Sequence, residues 1–164
     1  VHIPTIKFTV NKPKILQRKT WRKILKRSWF ETGRYWHRVI LRKHFTRAGA
    51  REYNYQERTT EYKRRKKNKK KGKGENRPLV FTGALKRAAE RVRDLRTTAG
   101  GVVVHLRGLP SYVKMRPAGF ASPYMAEELT KISSNDRDQL EAVLDRNIEK
   151  NIKIEQRSAR FSTK

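Results

Sequence analysis

At 164 residues, 35% of them apolar and 35% charged, the chain suits one domain with a modest core and a heavily charged exterior. The absence of cysteine excludes disulfides and thiolate metal sites, and no apolar run approaches the roughly 20 residues of a membrane span. A net charge of +27 works against a solitary compact monomer and points to a polyanion or an acidic protein surface as neighbour.

The charge is unevenly placed. Residues 1–77 carry 26 Lys and Arg against 5 acidic residues, whereas residues 78–164 carry 16 against 10. The first half therefore has the composition of a contact surface and the second that of an ordinary domain surface. The start, VHIPTIKFTV, lacks the pattern of a secretory signal. Its Ile3, Ile6, Phe8 and Val10 predict a short half-buried strand closed by Pro13.

From about Lys14 to Phe45 the apolar period becomes helical. Trp21, Ile24, Leu25, Ser28, Trp29, Thr32, Trp36, Val39 and Ile40 form one stripe; Arg22, Lys23, Lys26, Arg27, Arg34, Arg38 and Arg42 fall mainly off it. This predicts one long helix with a basic outer face, its tryptophans read as core rather than as a base-stacking platform, and a kink or break at Gly33. Tyr53 and Tyr55 then read as neighbours on one face of an extended segment. Nine of the eleven residues from Lys63 to Lys73 are Lys or Arg. With the following GKGENRP they predict a loop or arm over 62–77 that needs a partner to order it.

Leu79 to Phe81 opens a second packed region. Thr82 reads as an N-cap beside Gly83, followed by a short helix with Ala84, Leu85, Ala88 and Ala89 on its apolar face. Two runs around Gly100-Gly101 predict a β-hairpin ending before Gly108 and Pro110. Ser111 to Met125 suits an ordered loop anchored by Tyr112, Met115, Phe120 and Tyr124. Glu127 to Ile132 reads as a last short strand. Ser134 caps a second amphipathic helix, with Asp136 and Asp138 in its first turn and Leu140, Val143, Leu144, Ile148 and Ile152 on its buried face, running to about Ile154. Residues 155–164 read as a flexible tail. The expected fold is α+β: a long N-terminal and a C-terminal helix on a small antiparallel sheet, in a single domain spanning 1–164 with a long basic arm.

Catalytic patterns are weak. His37 and His44 lie about two helical turns apart without a carboxylate pair at metal-ligand spacing, and His105 has no evident base or nucleophile beside it. Thr82-Gly83 lacks the remainder of a Gly-rich phosphate loop and its Lys. Glu127 and Glu128, adjacent in a strand, would face opposite sides. The expectation is a non-enzyme with no cofactor and no metal. Chemistry is sought instead in Lys63, Arg64, Arg65, Lys66, Lys67, Lys69, Lys70, Lys71 and Lys73, as cations for phosphates or for the acidic grooves of a neighbouring protein. Composition alone equally admits a ribosomal or other RNA-binding structural protein, although the aromatics of known RNA-reading modules are not visible.

Tyr53, Tyr55, Arg58, Tyr62, Arg65 and Lys66, then Pro78, Leu79, Val80, Thr82, Gly83 and Leu85, follow the order YNYQERTTEYKRRKK…RPLVFTGAL. This order, with ELTKIS before an acidic-start helix, resembles the tail-completion or head-tail joining family of neck and minor tail proteins in tailed bacteriophages. The resemblance covers most of residues 20–154, and its sharpest part is Pro78 to Leu85. It implies a helix before the basic segment, a β-rich part and a C-terminal helix after it, and assembly into a homo-oligomeric ring between portal and tail or at the top of the tail. It implies an intersubunit or lumen-facing arm whose turn is formed by Pro78, Thr82 and Gly83. The partners implied are portal or adaptor, neck and tail proteins, with non-specific contact of part of the loop with packaged DNA as a second role and no membrane. The implied location is the virion, and the host cytoplasm during assembly.

Overall fold

The computed structural model describes residues 17–55, 59–68, 79, 83–91, 94–113 and 125–161. Helices pack on a two-stranded antiparallel sheet, as the α+β reading requires. The strand expected from Ile3 to Val10 lies outside the described residues. The chain divides into two compact units, one holding the described parts of 17–36, 95–104 and 134–161, the other those of 37–94 and 105–133.

The first unit is built on α1 (Arg18–Tyr35), the hairpin β1 (Asp94–Thr98) and β2 (Gly101–His105), and α7 (Ser134–Phe161). On α1 the residues Trp21, Ile24, Leu25, Ser28, Trp29, Thr32 and Gly33 are buried, which is the predicted stripe as far as α1 extends; Val39, placed on it by the same spacing, falls in a π turn and is 40% exposed. The tryptophans are core: Trp21, Trp29 and Trp36 are 6%, 1% and 3% exposed. On α7 the stripe is Leu140, Leu144, Ile148 and Asn151.

The two helices run antiparallel, because rising positions on α7 meet falling positions on α1. Asn147 Nδ2 donates to Thr32 Oγ1 at 3.4 Å, Asn151 Nδ2 donates to Ser28 Oγ at 3.0 Å, and Lys23 pairs with Glu155 at 2.8 Å. Thr32 Oγ1 in turn donates to the Ser28 carbonyl at 2.9 Å. Buried amides and hydroxyls cost free energy unless paired, so this four-residue spacing on both helices favours one register over its neighbours. The contact of Glu155 with α1 is also where the predicted tail fails: the helix continues through Phe161, well beyond Ile154.

Gly33 is helical and marks no break. A Cβ built there would stand 2.7 Å from Val102 Cγ2 and 3.3 Å from Leu95 Cδ2, so the missing side chain is what lets the hairpin lie against α1. The departure from α geometry comes one turn later, as a π turn over Trp36–Ile40, before α2 (Leu41–Lys43). The hairpin forms as expected, but its two-residue turn is Ala99-Gly100, with Gly101 already in β2. Thr98 Oγ1 accepts from the Gly100 amide at 3.2 Å. That turn sets Leu95 and Thr97 on the same face as the buried Val102 and Val104.

The second unit gathers short helices around Ile40, Leu41, Phe45, Leu85, Ala89, Val113, Ala126 and Leu129, all buried. Glu127 to Ile132 contains no strand: α6 (Met125–Thr130) is helical. Six residues are too few for alternation to be told from helical period, and Met, Ala, Glu and Leu are strong helix formers. Ala126 and Leu129, three apart, face the core. Glu128 is buried while Glu127 is exposed.

Tyr53 and Tyr55 are not on an extended segment. They flank the end of α3 (Arg47–Glu52), where Asn54 adopts φ 47°. The Asn54 amide donates to the Arg51 carbonyl at 3.1 Å and the Tyr55 amide to the Ala50 carbonyl at 3.0 Å, the paired bonds of a Schellman cap. Asparagine tolerates the left-handed conformation that β-branched residues resist. Asn54→Val is therefore expected to cost about 1–2 kcal/mol, with Asn54→Gly neutral or stabilising; paired thermal melts of the two variants check the order.

Candidate interaction surface

The basic segment begins as a helix, contrary to the loop predicted from Tyr62. Helix α4 spans Thr60–Lys67, and the Lys63 amide donates to the Thr59 carbonyl at 3.0 Å. Lys, Arg and Glu have high helix propensity. Glu61 sits in the first turn, and Lys66 and Lys67 in the last, the arrangement the helix dipole favours. Lys63, Arg64 and Lys67 are exposed and present positive charge to solvent.

Lys66 does not share that role. It is 8% exposed, so its side chain belongs to the unit's interior rather than to a contact surface. A run of like residues carries no signal that singles out one member for burial; only the helix, by turning successive side chains about 100° apart, does so. The Arg65 side chain and Lys69, Lys70, Lys71 and Lys73 lie outside what is described, as do Pro78 and Thr82. Gly83, with φ 79°, occupies the N-cap position predicted for Thr82 and leads into α5 (Ala84–Glu90). Leu79 is buried at 5% exposure, in line with the packed region expected to open there.

Behind α4 in sequence stands a polar cluster that sequence reasoning missed. His44 is fully buried and stacks on Tyr53, their ring centroids 4.0 Å apart and nearly parallel. Its Nδ1 bonds the Tyr55 hydroxyl, which donates its one proton to the Glu128 carbonyl at 3.0 Å. The imidazole must therefore donate from Nδ1, which sets its tautomer. Lys131 Nζ donates to the carbonyls of Tyr53 and Asn54, each at 3.1 Å, and lies 5.8 Å from the centre of the Tyr55 ring. Ser133 Oγ donates to Glu52 Oε1 at 2.6 Å. Together these bonds clamp the segment after α6 onto the C-terminal end of α3, a structural role for the tyrosines the resemblance had singled out.

The other histidines are placed apart. His37, in the π turn, donates from Nε2 to the Ala89 carbonyl near the C-terminus of α5 at 2.9 Å. His105 ends β2. Tyr112, on the short 3-10 turn Ser111–Val113, has its phenol raised above the ordinary tyrosine value by partial burial, with a backbone hydrogen bond from Leu85 pulling the other way. It stays protonated at neutral pH.

The second charged surface is the outer face of α1. Arg18, Lys19, Arg22, Lys23, Lys26 and Arg27 are all exposed. They form two rows at four-residue spacing, and α1 carries seven Lys and Arg against the single carboxylate of Glu31. Like charges four apart destabilise a helix, and cations in its first turn oppose its dipole. Beyond these rows Phe30 is 39% exposed, with the Arg34 guanidinium 5.9 Å from its ring centre.

The chain matches no protein-family model, no curated protein and no solved structure.

Proposed function

We propose that this chain is a structural protein of a tailed-bacteriophage virion, acting in the neck or tail as a head-tail joining or tail-completion protein and closing into a ring. What supports the reading is the order of elements. A long helix precedes the basic segment, Gly83 leads into α5, and a hairpin and a long C-terminal helix follow. The helices before and after the basic segment fit the order implied by the resemblance of the YNY…RPLVFTGAL pattern; of the β-rich part it implies, the described residues hold one hairpin.

In a closed ring one surface of a subunit meets a different surface of the next. The exposed cations of α4, Lys63, Arg64 and Lys67, are suited to an acidic surface on an adjacent subunit or ring. Such contacts fix orientation and speed encounter more than they add affinity. The function is assembly rather than catalysis.

Two measurements test this. Light scattering on the purified chain should give a defined ring-sized oligomer, or a monomer that closes into one when the neighbouring portal or tail protein is added. Lys63→Ala/Arg64→Ala/Lys67→Ala should lower the yield of joined particles at least tenfold while leaving circular dichroism and melting unchanged. Purification of the native chain with ribosomal RNA, in place of capsid and tail proteins, would refute the assembly reading in favour of an RNA-binding structural protein.

A further inference from the structure

We infer that the outer face of α1 is a binding surface for the phosphate backbone of double-helical DNA, independent of sequence. The surface is distinct from the arm at α4, and the inference does not rest on ring formation.

The first argument is segregation of charge within one unit. Helices α1 and α7 lie side by side and antiparallel, yet α7 balances six acidic residues with six basic ones over Ser134–Phe161, while α1 holds seven basic residues and one acidic. A merely solvated surface would be expected to intersperse the signs, as α7 does. Along α1 the arrangement runs against the helix's own stability, with like charges at four-residue spacing and Arg18 and Lys19 at the positive end of the dipole. An external polyanion reverses both effects.

The second argument is availability. The apolar stripe of α1 is consumed by α7 and the hairpin, so the basic rows stand on the face that packing does not use. Among the described residues Lys23 has Glu155 as ion-pair partner, and Arg18, Lys19, Arg22, Lys26 and Arg27 have none.

The third is fit. From Arg18 to Arg27 the helix advances about 14 Å, or roughly four phosphate steps of about 3.4 Å along one strand. Five uncompensated cations over that length match a DNA strand in charge density. The core of a stable protein interface is more apolar than the surface around it, and the exposed side chains of residues 18–27 are all Lys and Arg. Single-stranded nucleic acid is bound by stacking successive bases on aromatic rings, but all three tryptophans are buried, and Phe30, beyond the basic rows, has the Arg34 guanidinium 5.9 Å from its ring centre. Double-stranded RNA is recognised by 2′-hydroxyls as well as phosphates, and the exposed side chains of residues 18–27 are all Lys and Arg, which donate but cannot accept a hydrogen bond. Duplex DNA is the polyanion that fits.

The test is fluorescence anisotropy of the full chain with a labelled 30-base-pair duplex of arbitrary sequence, titrated between 50 and 200 mM NaCl. Arg18→Gln/Arg22→Gln/Lys26→Gln/Arg27→Gln should weaken binding on the order of 100-fold or more and reduce the slope of log K against log salt by about 3–4. Arg146→Gln/Lys150→Gln/Lys153→Gln/Arg157→Gln, which removes the same charge from α7, should change the slope by less than about 1. In the unaltered chain, bound duplex should protect Lys19 and Lys26 from amine acylation, a readout that survives any folding defect of the variants. The inference is overturned if the α1 and α7 variants behave alike, if Lys19 and Lys26 stay reactive in the complex, or if polyglutamate displaces the chain at a lower charge concentration than unlabelled duplex. The last result would assign the face to an acidic protein instead.

Discussion

Trp29→Ala is expected to lower stability by about 3–5 kcal/mol, the range found when a large buried aromatic is cut back to a methyl group. Trp29 is 1% exposed on the stripe of α1 that α7 and the hairpin cover. Truncation removes its apolar contacts and leaves a cavity that the paired amides and hydroxyls of Ser28, Thr32, Asn147 and Asn151 resist closing, since collapse would break their hydrogen bonds. A urea titration followed by far-ultraviolet circular dichroism measures the loss. If the midpoint stayed at the native value, the indole would have to be a surface group, and its reading as core would be wrong.

Gly49→Ala should be nearly as damaging, about 2–4 kcal/mol, although alanine is the better helix former. A Cβ at this position would lie 2.0 Å from the Lys43 carbonyl oxygen and 2.6 Å from its carbon. Both are backbone atoms at the end of α2, so no rotamer change relieves the contact. The same carbonyl accepts from the Thr46 amide at 2.9 Å and the Thr46 hydroxyl at 2.7 Å, while Thr46 Oγ1 accepts from the Gly49 amide at 3.0 Å. Moving α3 away to admit a methyl group pulls this cap apart. Thr46→Ala, which removes the cap without the clash, should cost only about 1 kcal/mol. Parallel denaturation of the two variants checks the prediction; equal losses would mean that the cap, and not the close approach, is what Gly49 protects.

The α1 surface and the α4 arm divide the positive charge between two structural contexts. On α1 the cations sit on a rigid helix backed by a core; on α4 they sit on eight residues that bury Lys66 among them. This distinction separates the two experiments proposed above: loss of DNA binding without loss of particle joining, or the reverse, assigns each surface its own partner.

How much of this was legible beforehand depended on the range of the interaction involved. The long first helix, its buried tryptophan stripe and its basic outer face follow from residues three and four apart, and the hairpin follows from the Gly-Gly punctuation between two extended runs. The α7 stripe is local in the same sense. Such features are written in the sequence because the backbone period alone decides which side chains share a face. The failures lie where another part of the chain chose between local alternatives. MAEELT became a helix, Lys66 turned inward from a run of equals, and the chain turned at Asn54 because a left-handed residue let α3 close with a Schellman cap. Gly33 read as a breaker and, like Gly49, proved to be a point of close approach, since a glycine looks the same whether it bends the chain or admits a neighbour. His44, Tyr53, Tyr55, Glu128 and Lys131 meet only when segments more than 70 residues apart are brought together. The sequence by itself determined the periodicity, the α+β class and the excess of positive charge; tertiary packing decided which cations remain on the outside, because burial is a property of the assembled unit and not of the segment that carries it.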